Sequence, residues 1–368
     1  MYKQKLNITI LDFDDIRNPL LGAGQSKVTY EVGSRFVKEG HSVVVISSKY
    51  PGCKNRIDNG ITYKHIGICT QNIRINNLIY ISCIPFAVVK IKSDIILECF
   101  TAPISTLLSP LFTKIPVVGL STSFDAKRFS RQYKFPFWLV EKYGARSYKY
   151  FIALTPFLAN KMKKLNKKVV VRTIPQGVSR EYFAVNKAKS LFILFIGRLD
   201  LNQKGLDLLV KAYARVEKQI KYPLVIAGQG PDGVKLEKLI SKYKLAEKVS
   251  LIGYADEKKK IELLSNAAFL AFPSRDEGFS LVSLEALASG NRLVAFKIPS
   301  LNWANKEIVR KVNPFSIDDY SKALLLESRR ESSFTNFQCR SVAKNYSWDN
   351  VANQFMNFFQ EIVGDKHI

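Results

Sequence analysis

The chain is constrained most by an alternation of short apolar runs with amphipathic stretches, kept up almost from end to end. Runs at Ile8–Leu11, Val43–Ser47, Ile61–Ile66, Asp94–Glu98, Pro116–Leu120, Phe151–Leu154 and Val169–Ile174 have the length and composition of strands. Between them, as in Lys27–Glu39 with Val28, Val32, Phe36 and Val37, apolar residues recur at helical spacing. Strands separated by helices pair in parallel, so the pattern predicts a doubly wound α/β sheet. The alternation pauses around Pro175-Gln-Gly177 and the polar Asn186–Ser190. It restarts with Leu191–Ile196, Leu224–Ala227, Val249–Ile252, Phe269–Phe272 and Leu293–Phe296, with helical stretches near 205–219, 233–244, 256–265 and 279–289. Two Rossmann-like domains follow, 1–178 and 191–345, facing one another across a cleft. A closing helix over 346–368 carries Val351, Phe355, Phe358, Phe359 and Ile362 on one stripe.

Composition removes several classes of function. With 47% hydrophobic and 24% charged residues in 368, the chain is neither disordered, collagenous nor a small disulfide scaffold. The longest apolar run, Leu78–Val89, contains Ser82, Cys83 and Pro85 and is too short to span a bilayer. The start, Leu6–Leu11, alternates like a strand rather than forming a secretory h-region, so a cytoplasmic protein is expected. Five cysteines without a C-x-x-C pair and only three histidines argue against a zinc knuckle, a redox pair or a His-rich metal site. The charge is the outlier: 56 basic against 31 acidic residues, a net +25, which calls for a polyanionic partner.

Four segments carry chemistry. Gly22-Ala-Gly24 precedes a helix, where a phosphate is favoured, but Lys27 stands where a dinucleotide fingerprint needs its third glycine. Gly197-Arg-Leu-Asp-Leu-Asn-Gln-Lys-Gly205 follows a strand and opens a helix, so that Arg198 and Lys204 can reach one diphosphate. Gly228-Gln-Gly230 also sits at a strand end, where an ordinary strand-to-helix turn explains it nearly as well. In Pro273-Ser-Arg-Asp-Glu-Gly-Phe-Ser-Leu-Val-Ser-Leu-Glu285, Glu277 lies at a helix mouth and Glu285 on that helix's apolar face. Two carboxylates so placed can grip a polyhydroxylated ligand at two points, and a buried ion pair is the other reading of Glu285.

Glu277-x7-Glu285, taken with Gly197-Arg-Leu…Lys204-Gly205, Gly228-Gln-Gly230-Pro and Gly253-Tyr254, resembles glycosyltransferase family 4, a group of retaining GT-B enzymes. The resemblance extends to Gly22-Ala-Gly24, Gly40-His-Ser-Val-Val-Val45, Pro175-Gln-Gly-Val178 and Tyr346-Ser-Trp348. It implies hexose transfer from a nucleotide-diphosphate sugar, expected to be UDP-linked, with retention and without a metal or other cofactor. The first domain would then bind the acceptor, the second the nucleotide sugar, and the last helix would return to the first. By the same resemblance Arg198 and Lys204 contact the diphosphate and Glu285 the ribose. Glu277 and the Gly278, Phe279, Ser280 and Leu281 segment hold the sugar. Gly197, Gly228, Gly253 and Tyr254 line the nucleotide, and Gly22 and Gly24 lie by the diphosphate or acceptor. Glu277, Arg198, Lys204 and Asp125 form the catalytic set. Asp125 enters it because many relatives carry a His after the strand at Pro116–Leu120, where this chain reads Ser121-Thr-Ser-Phe-Asp125. A helix N-cap is its other reading. No Asp-x-Asp pair is read at a strand end in the cleft.

Two other enzyme classes fit less well. A sugar-nucleotide epimerase needs several acid/base side chains, and a nicotinamide oxidoreductase needs a complete G-x-G-x-x-G. A nucleic-acid binder explains the charge but not the paired glutamates, so no nucleic-acid partner is expected. The basic excess is instead assigned to an anionic membrane surface. Within Asp125–Lys149, Lys127, Arg128, Arg131 and Lys134 interleave with Phe129, Tyr133, Phe135, Phe137 and Trp138. That predicts a peripheral protein on the inner face of the cytoplasmic membrane with a glycan or lipid-linked acceptor. A core helix with a solvated basic face is the competing reading.

Overall fold

The computed structural model describes residues 4–21, 24–100, 103–187, 190–330 and 333–364. The chain divides into two compact units, one running to Gln176 and resuming at Trp348, the other Gly177–Ser347. The first unit holds strands β1 (Asn7–Leu11), β2 (Ser42–Ser48), β3 (Arg56–Asp58), β4 (Ile61–Ile66), β5 (Ile95–Phe100), β6 (Val117–Ser121), β7 (Tyr150–Ala153) and β8 (Val170–Thr173). Its helices are α1 (Gly24–Lys38), α2 (Ile73–Val89), α3 (Ala126–Tyr133), α4 (Phe137–Ser147) and α5 (Pro156–Leu165). The sheet order is β3-β4-β2-β1-β5-β6-β7-β8, parallel except for β3 against β4. Ile8, Ile10, Val45, Ile95, Ile96 and Val118 make its buried centre, covered by Val28, Val32 and Phe36 of α1.

Two elements of this unit depart from the sequence expectation. Asn59 and Gly60 both take positive φ, 48° and 78°, and so make a two-residue hairpin turn that adds β3 to the sheet edge. The apolar Leu78–Val89 run falls in α2, where the Asn72 side chain accepts from the Arg74 and Ile75 amides. Tyr80, Ile84 and Val88 of α2 are buried, whereas Leu78, Phe86 and Val89 are exposed. No helix among the described residues is long and apolar enough to cross a membrane.

The second unit holds β9 (Phe192–Ile196), β10 (Leu224–Ala227), β11 (Val249–Leu251), β12 (Ala267–Phe272), β13 (Leu293–Phe296) and β14 (Val309–Val312). Its helices are α6 (Leu201–Lys204), α7 (Leu206–Val216), α8 (Gly233–Lys242), α9 (Glu257–Asn266), α10 (Leu281–Ala288), α11 (Ile317–Ser328) and α12 (Ser333–Lys344). All strands are parallel in the order β11-β10-β9-β12-β13-β14, which reverses direction between β9 and β12. Such a reversal leaves a crevice at the carboxyl ends of the two strands. The last helix, α13 (Trp348–Gly364), belongs to the first unit. Its stripe of Val351, Phe355, Phe358, Phe359 and Ile362 is buried, with the Phe359 ring 5.8 Å from that of Phe36. Arg35 Nε donates to Asp349 Oδ1 at 2.7 Å beside that contact.

Glu98, on β5, is buried at 2% exposure and accepts hydrogen bonds from Ser109 Oγ and the Tyr148 hydroxyl. Burial pushes its pKa up to about 7, against these two hydrogen bonds. A carboxyl whose folded pKa is raised stabilises the fold fully below its unfolded pKa of about 4.3, and the contribution is lost as pH rises through the folded value. The melting temperature should therefore fall between about pH 5 and about pH 8. Glu98→Gln keeps one acceptor oxygen and replaces the other by an NH2 donor that a hydroxyl can accept, with no titrating proton, and should flatten that fall by ~5 °C in calorimetric scans. An unchanged slope in the variant would show that Glu98 is ionised in the folded chain.

Candidate functional site

Three loops leave the carboxyl ends of β9, β10 and β12 and pack backbone against backbone. A Cβ on Gly228 would stand 1.8 Å from the Gly197 carbonyl oxygen, and one on Gly205 would stand 2.1 Å from that of Pro273. Gly205 also ends α6 at φ 65°, the left-handed conformation that glycine reaches without strain. The Gly197 amide donates to Ala227 O at 3.0 Å, the Gly228 amide to Gly253 O at 2.7 Å, and the Leu201 amide to Asp232 Oδ2 at 3.0 Å. From the β12 side, Arg275 donates through both terminal nitrogens to Asp207 at 2.8 Å and through Nη1 to Leu201 O at 2.6 Å.

This packing brings Lys204 Nζ to 2.6 Å from Glu277 Oε1, which also accepts from Ser274 Oγ at 2.7 Å. Glu277 is nearly buried in its ion pair, its side chain 8% exposed. Arg198 stands apart from that pair. It is exposed and donates to Asp200 Oδ2 at 3.1 Å and Gln203 Oε1 at 2.8 Å on its own loop. Behind Glu277, Gly278 is half-buried and Phe279 buried, its ring stacked 5.7 Å from Trp303 with Tyr346 beside it. Ser280 caps α10 by accepting from the Ser283 amide, and Leu281 begins the helix. First-turn amides of a helix lack intrahelical acceptors and favour anions and hydroxyl oxygens.

Glu285 is buried inside α10, where Lys260 Nζ donates to its two oxygens at 3.2 and 3.1 Å. The same ammonium pairs with Glu257 at 2.8 Å, and the Tyr182 hydroxyl donates to Glu257. Burial works against the Lys260 charge, but Glu285 and Glu257 outweigh it and raise its pKa. Burial and then Glu285 raise that of Tyr182. Gly253 takes φ 74° with nothing within 4 Å of an added Cβ, and Tyr254 beside it is 72% exposed.

The residues of the first unit form a separate set. Gly22 lies outside the described residues; Gly24 begins α1, with nothing within 4 Å of an added Cβ. Asp125 occupies the N-cap position of α3 but makes no side-chain capping bond, and its carboxylate lies 3.7 Å from Arg128. His41 Nδ1 accepts from the Leu6 amide, so it serves the fold.

An Asp-x-Asp spacing, Asp12-Phe-Asp14, follows β1 directly, with Asp15 beyond it. All three are buried. Thr29 Oγ1 donates to Asp12 and Ser26 Oγ to Asp14 at 3.0 Å; burial pushes the two carboxyls up to about 7 and about 6. Asp15 goes the other way. Burial would raise it, but a two-pronged hydrogen bond from Arg56 at 2.6 and 2.8 Å and His65 Nε2 at 2.8 Å hold it below the carboxylate range. Asp12, Asp14, Arg56 and His65 were missed as chemistry. The spacing was visible in the sequence, whereas the salt bridge depends on the hairpin that carries Arg56.

Comparison with known proteins agrees with this geometry. The profile of Glycosyltransferase Family 4 matches residues 22–182 and that of Glycosyl transferases group 1 matches residues 179–328. An uncharacterized glycosyltransferase of Methanocaldococcus jannaschii is 31% identical over 173 residues, 46% of this chain and 44% of its own. The GDP-mannose:cellobiosyl-diphosphopolyprenol alpha-mannosyltransferase of Xanthomonas campestris is 24% identical over 268 residues, 70% of each chain. The chain spans about half the length of the first curated relatives it matches. Sucrose-phosphate synthase from Thermosynechococcus elongatus superposes with a TM-score of 0.80 over 98% of this chain and 100% of its own, at 18% identity. Two parallel α/β sheets, matched profiles across both units and this superposition make the fold GT-B, and the chain belongs to glycosyltransferase family 4.

Proposed function

We propose that the chain transfers a hexose from a nucleoside-diphosphate sugar, in first place a UDP-linked one, to an acceptor hydroxyl with retention at the anomeric carbon. The observation that carries this reading is the Lys204–Glu277 contact, a cation and a carboxylate 2.6 Å apart on loops that backbone packing holds together. When the donor C1–O bond breaks, negative charge develops on the leaving diphosphate. Lys204 and Arg198 supply positive charge and N–H donors there, as a metal ion does in other enzymes. Glu277 and the Gly278–Leu281 backbone hold the sugar hydroxyls. Glu285, fixed by Lys260, faces the ribose in this reading, and Gly228, Gly253 and Tyr254 the base. The acceptor oxygen bonds to C1 on the face the leaving group vacates, and its proton passes to an oxygen of the leaving phosphate. Glycoside and nucleoside diphosphate are the products.

A lipid-linked or envelope glycan acceptor is supported by the name of the Xanthomonas relative, which includes a diphosphopolyprenol. The surface of the first unit favours the same reading. Lys127, Arg128, Arg131 and Lys134 are all exposed, and so are Tyr133, Phe135, Trp138 and Tyr143. Core helices bury their aromatics, whereas these rings lie open around a break at Pro136 between α3 and α4. Arg74, at the start of α2, lies 5.1 Å over the Tyr133 ring. Exposed rings beside cations suit the headgroup layer of an anionic leaflet, which supports a peripheral position on the inner face of the cytoplasmic membrane.

Donor binding and turnover separate the roles. Lys204→Gln should lower kcat by about 10²-fold in a transfer assay with nucleotide sugars, and Arg198→Ala should lower it in the same direction. Near-normal transfer by a folded Arg198→Ala enzyme would remove that residue from the diphosphate. Glu285→Gln should weaken free nucleoside-diphosphate binding in calorimetry, whereas Glu277→Gln should spare it and lose transfer. Activity should survive EDTA, and NMR of the product should show a retained anomeric configuration; inhibition reversed by manganese or magnesium would overturn the metal-free scheme. The chain should float with vesicles containing phosphatidylglycerol but not with neutral ones, and neutralising Lys127, Arg128, Arg131 and Lys134 together should abolish flotation.

A further inference from the structure

At the other end of the second sheet, where its strands begin, the chain gathers cations that the donor loops do not use. Arg292 immediately precedes β13 and Lys306 lies ahead of β14; Arg310 and Lys311 are on β14, and Arg330 follows α11. With Val309 they line a cavity of about 480 Å³, and no carboxylate is among the lining residues. The acid beside it is Glu327 of α11, whose oxygens accept from Arg292 Nε at 2.6 Å and Arg310 Nε at 3.0 Å. Glu327 is thus shared by two guanidinium groups, and among the described residues the cavity lining itself holds five cations and no carboxylate.

The pairing is incomplete at its most buried point. Arg292 is 5% exposed, and its Nη1 has no hydrogen-bond partner among the described residues. A buried donor left unmatched is costly, and a charged one more so. Lys311 Nζ donates to Ala304 O at 2.5 Å, and burial followed by the Lys297 charge holds its pKa below the ordinary lysine value. An anion in the cavity supplies the missing acceptor to Arg292 and offsets the repulsion at Lys311.

We propose that this cavity binds a small phosphorylated ligand, its phosphate seated between Arg292 and Arg310 and screened by Lys306, Lys311 and Arg330. A carboxylate brings one charge, whereas a phosphate monoester brings about −1.5 to −2 and three acceptor oxygens, which suits this excess of cations. The volume is in the range of small-molecule sites, so an ester of sugar or nucleoside size fits. Its phosphate comes from a soluble ester or from a lipid headgroup, and the same binding chemistry serves both.

Titrating the full-length chain with inorganic pyrophosphate tests the site. Lys204→Gln disables the donor loops, and a saturable binding event should survive in that variant. Adding Lys306→Gln and Arg330→Gln, both exposed positions that leave the Arg292–Glu327–Arg310 cluster intact, should weaken the surviving event about tenfold or more. Flotation with phosphatidylglycerol vesicles identifies the source: unchanged flotation of the Lys306→Gln/Arg330→Gln protein means a soluble ester, and lost flotation a lipid phosphate. The proposal is overturned if no binding survives Lys204→Gln, or if the surviving event ignores the two further substitutions. A single event in the parent that persists in Lys204→Gln would support this cavity while counting against the donor assignment.

Discussion

The second unit depends on one steric constraint, the absence of a side chain where its loops touch. The Gly197 carbonyl fills the space of a Gly228 Cβ, and the Pro273 carbonyl fills that of Gly205. A larger residue at either glycine would put a Cβ 1.8 or 2.1 Å from a backbone oxygen and force the loops apart. Lys204 is the last residue of α6, and Gly205 beside it turns the chain directly against Pro273. Glu277 follows Pro273 on the next stretch of chain, so the close approach of the two backbones sets the 2.6 Å ion pair. The glycine-rich signature is therefore a packing requirement first, and the chemistry is placed by it.

The two units handle their buried acids in opposite ways. In the second, Glu277, Glu285 and Glu327 each contact a lysine or arginine, which supplies the donors their buried oxygens need. In the first, Asp12, Asp14 and Glu98 meet hydroxyl groups rather than cations, and burial keeps them protonated toward neutral pH. Asp15, beside them, is instead held by Arg56 and His65. A sheet centre with three such carboxyls responds to pH, while the second unit responds to the loss of any one partner in its ion pairs.

Most of the architecture was legible because strand and helix periods are written in consecutive residues. Ile61–Ile66, Leu224–Ala227 and Leu293–Phe296 begin and end where the apolar runs do. What escaped was short or depended on distant residues. Three-residue β3 needs the Asn59-Gly60 turn to exist, and β14, with Arg310 and Lys311 inside it, does not read as apolar. The run 125–149 looked like one amphipathic segment but breaks into α3 and α4, with Lys134 in the left-handed conformation at the end of α3. Lys260 gave no hint of its bond to Glu285, because the two lie on different helices.

The net charge of +25 reads differently once the cations have places. Lys204, Lys260 and Arg275 are each matched by an acid on a neighbouring loop or helix of the second unit, so they contribute little field beyond it. Arg198 is exposed but bonded along its own loop. Part of the excess comes from side chains with no such match. One such group is Lys127, Arg131 and Lys134, standing in solvent on α3 and at its end among exposed rings. Another is Lys306, Lys311 and Arg330, lining a cavity beside the Arg292–Glu327–Arg310 cluster. Uncompensated charge destabilises a fold through self-repulsion. An anion bound at either of these two places would relieve part of that repulsion.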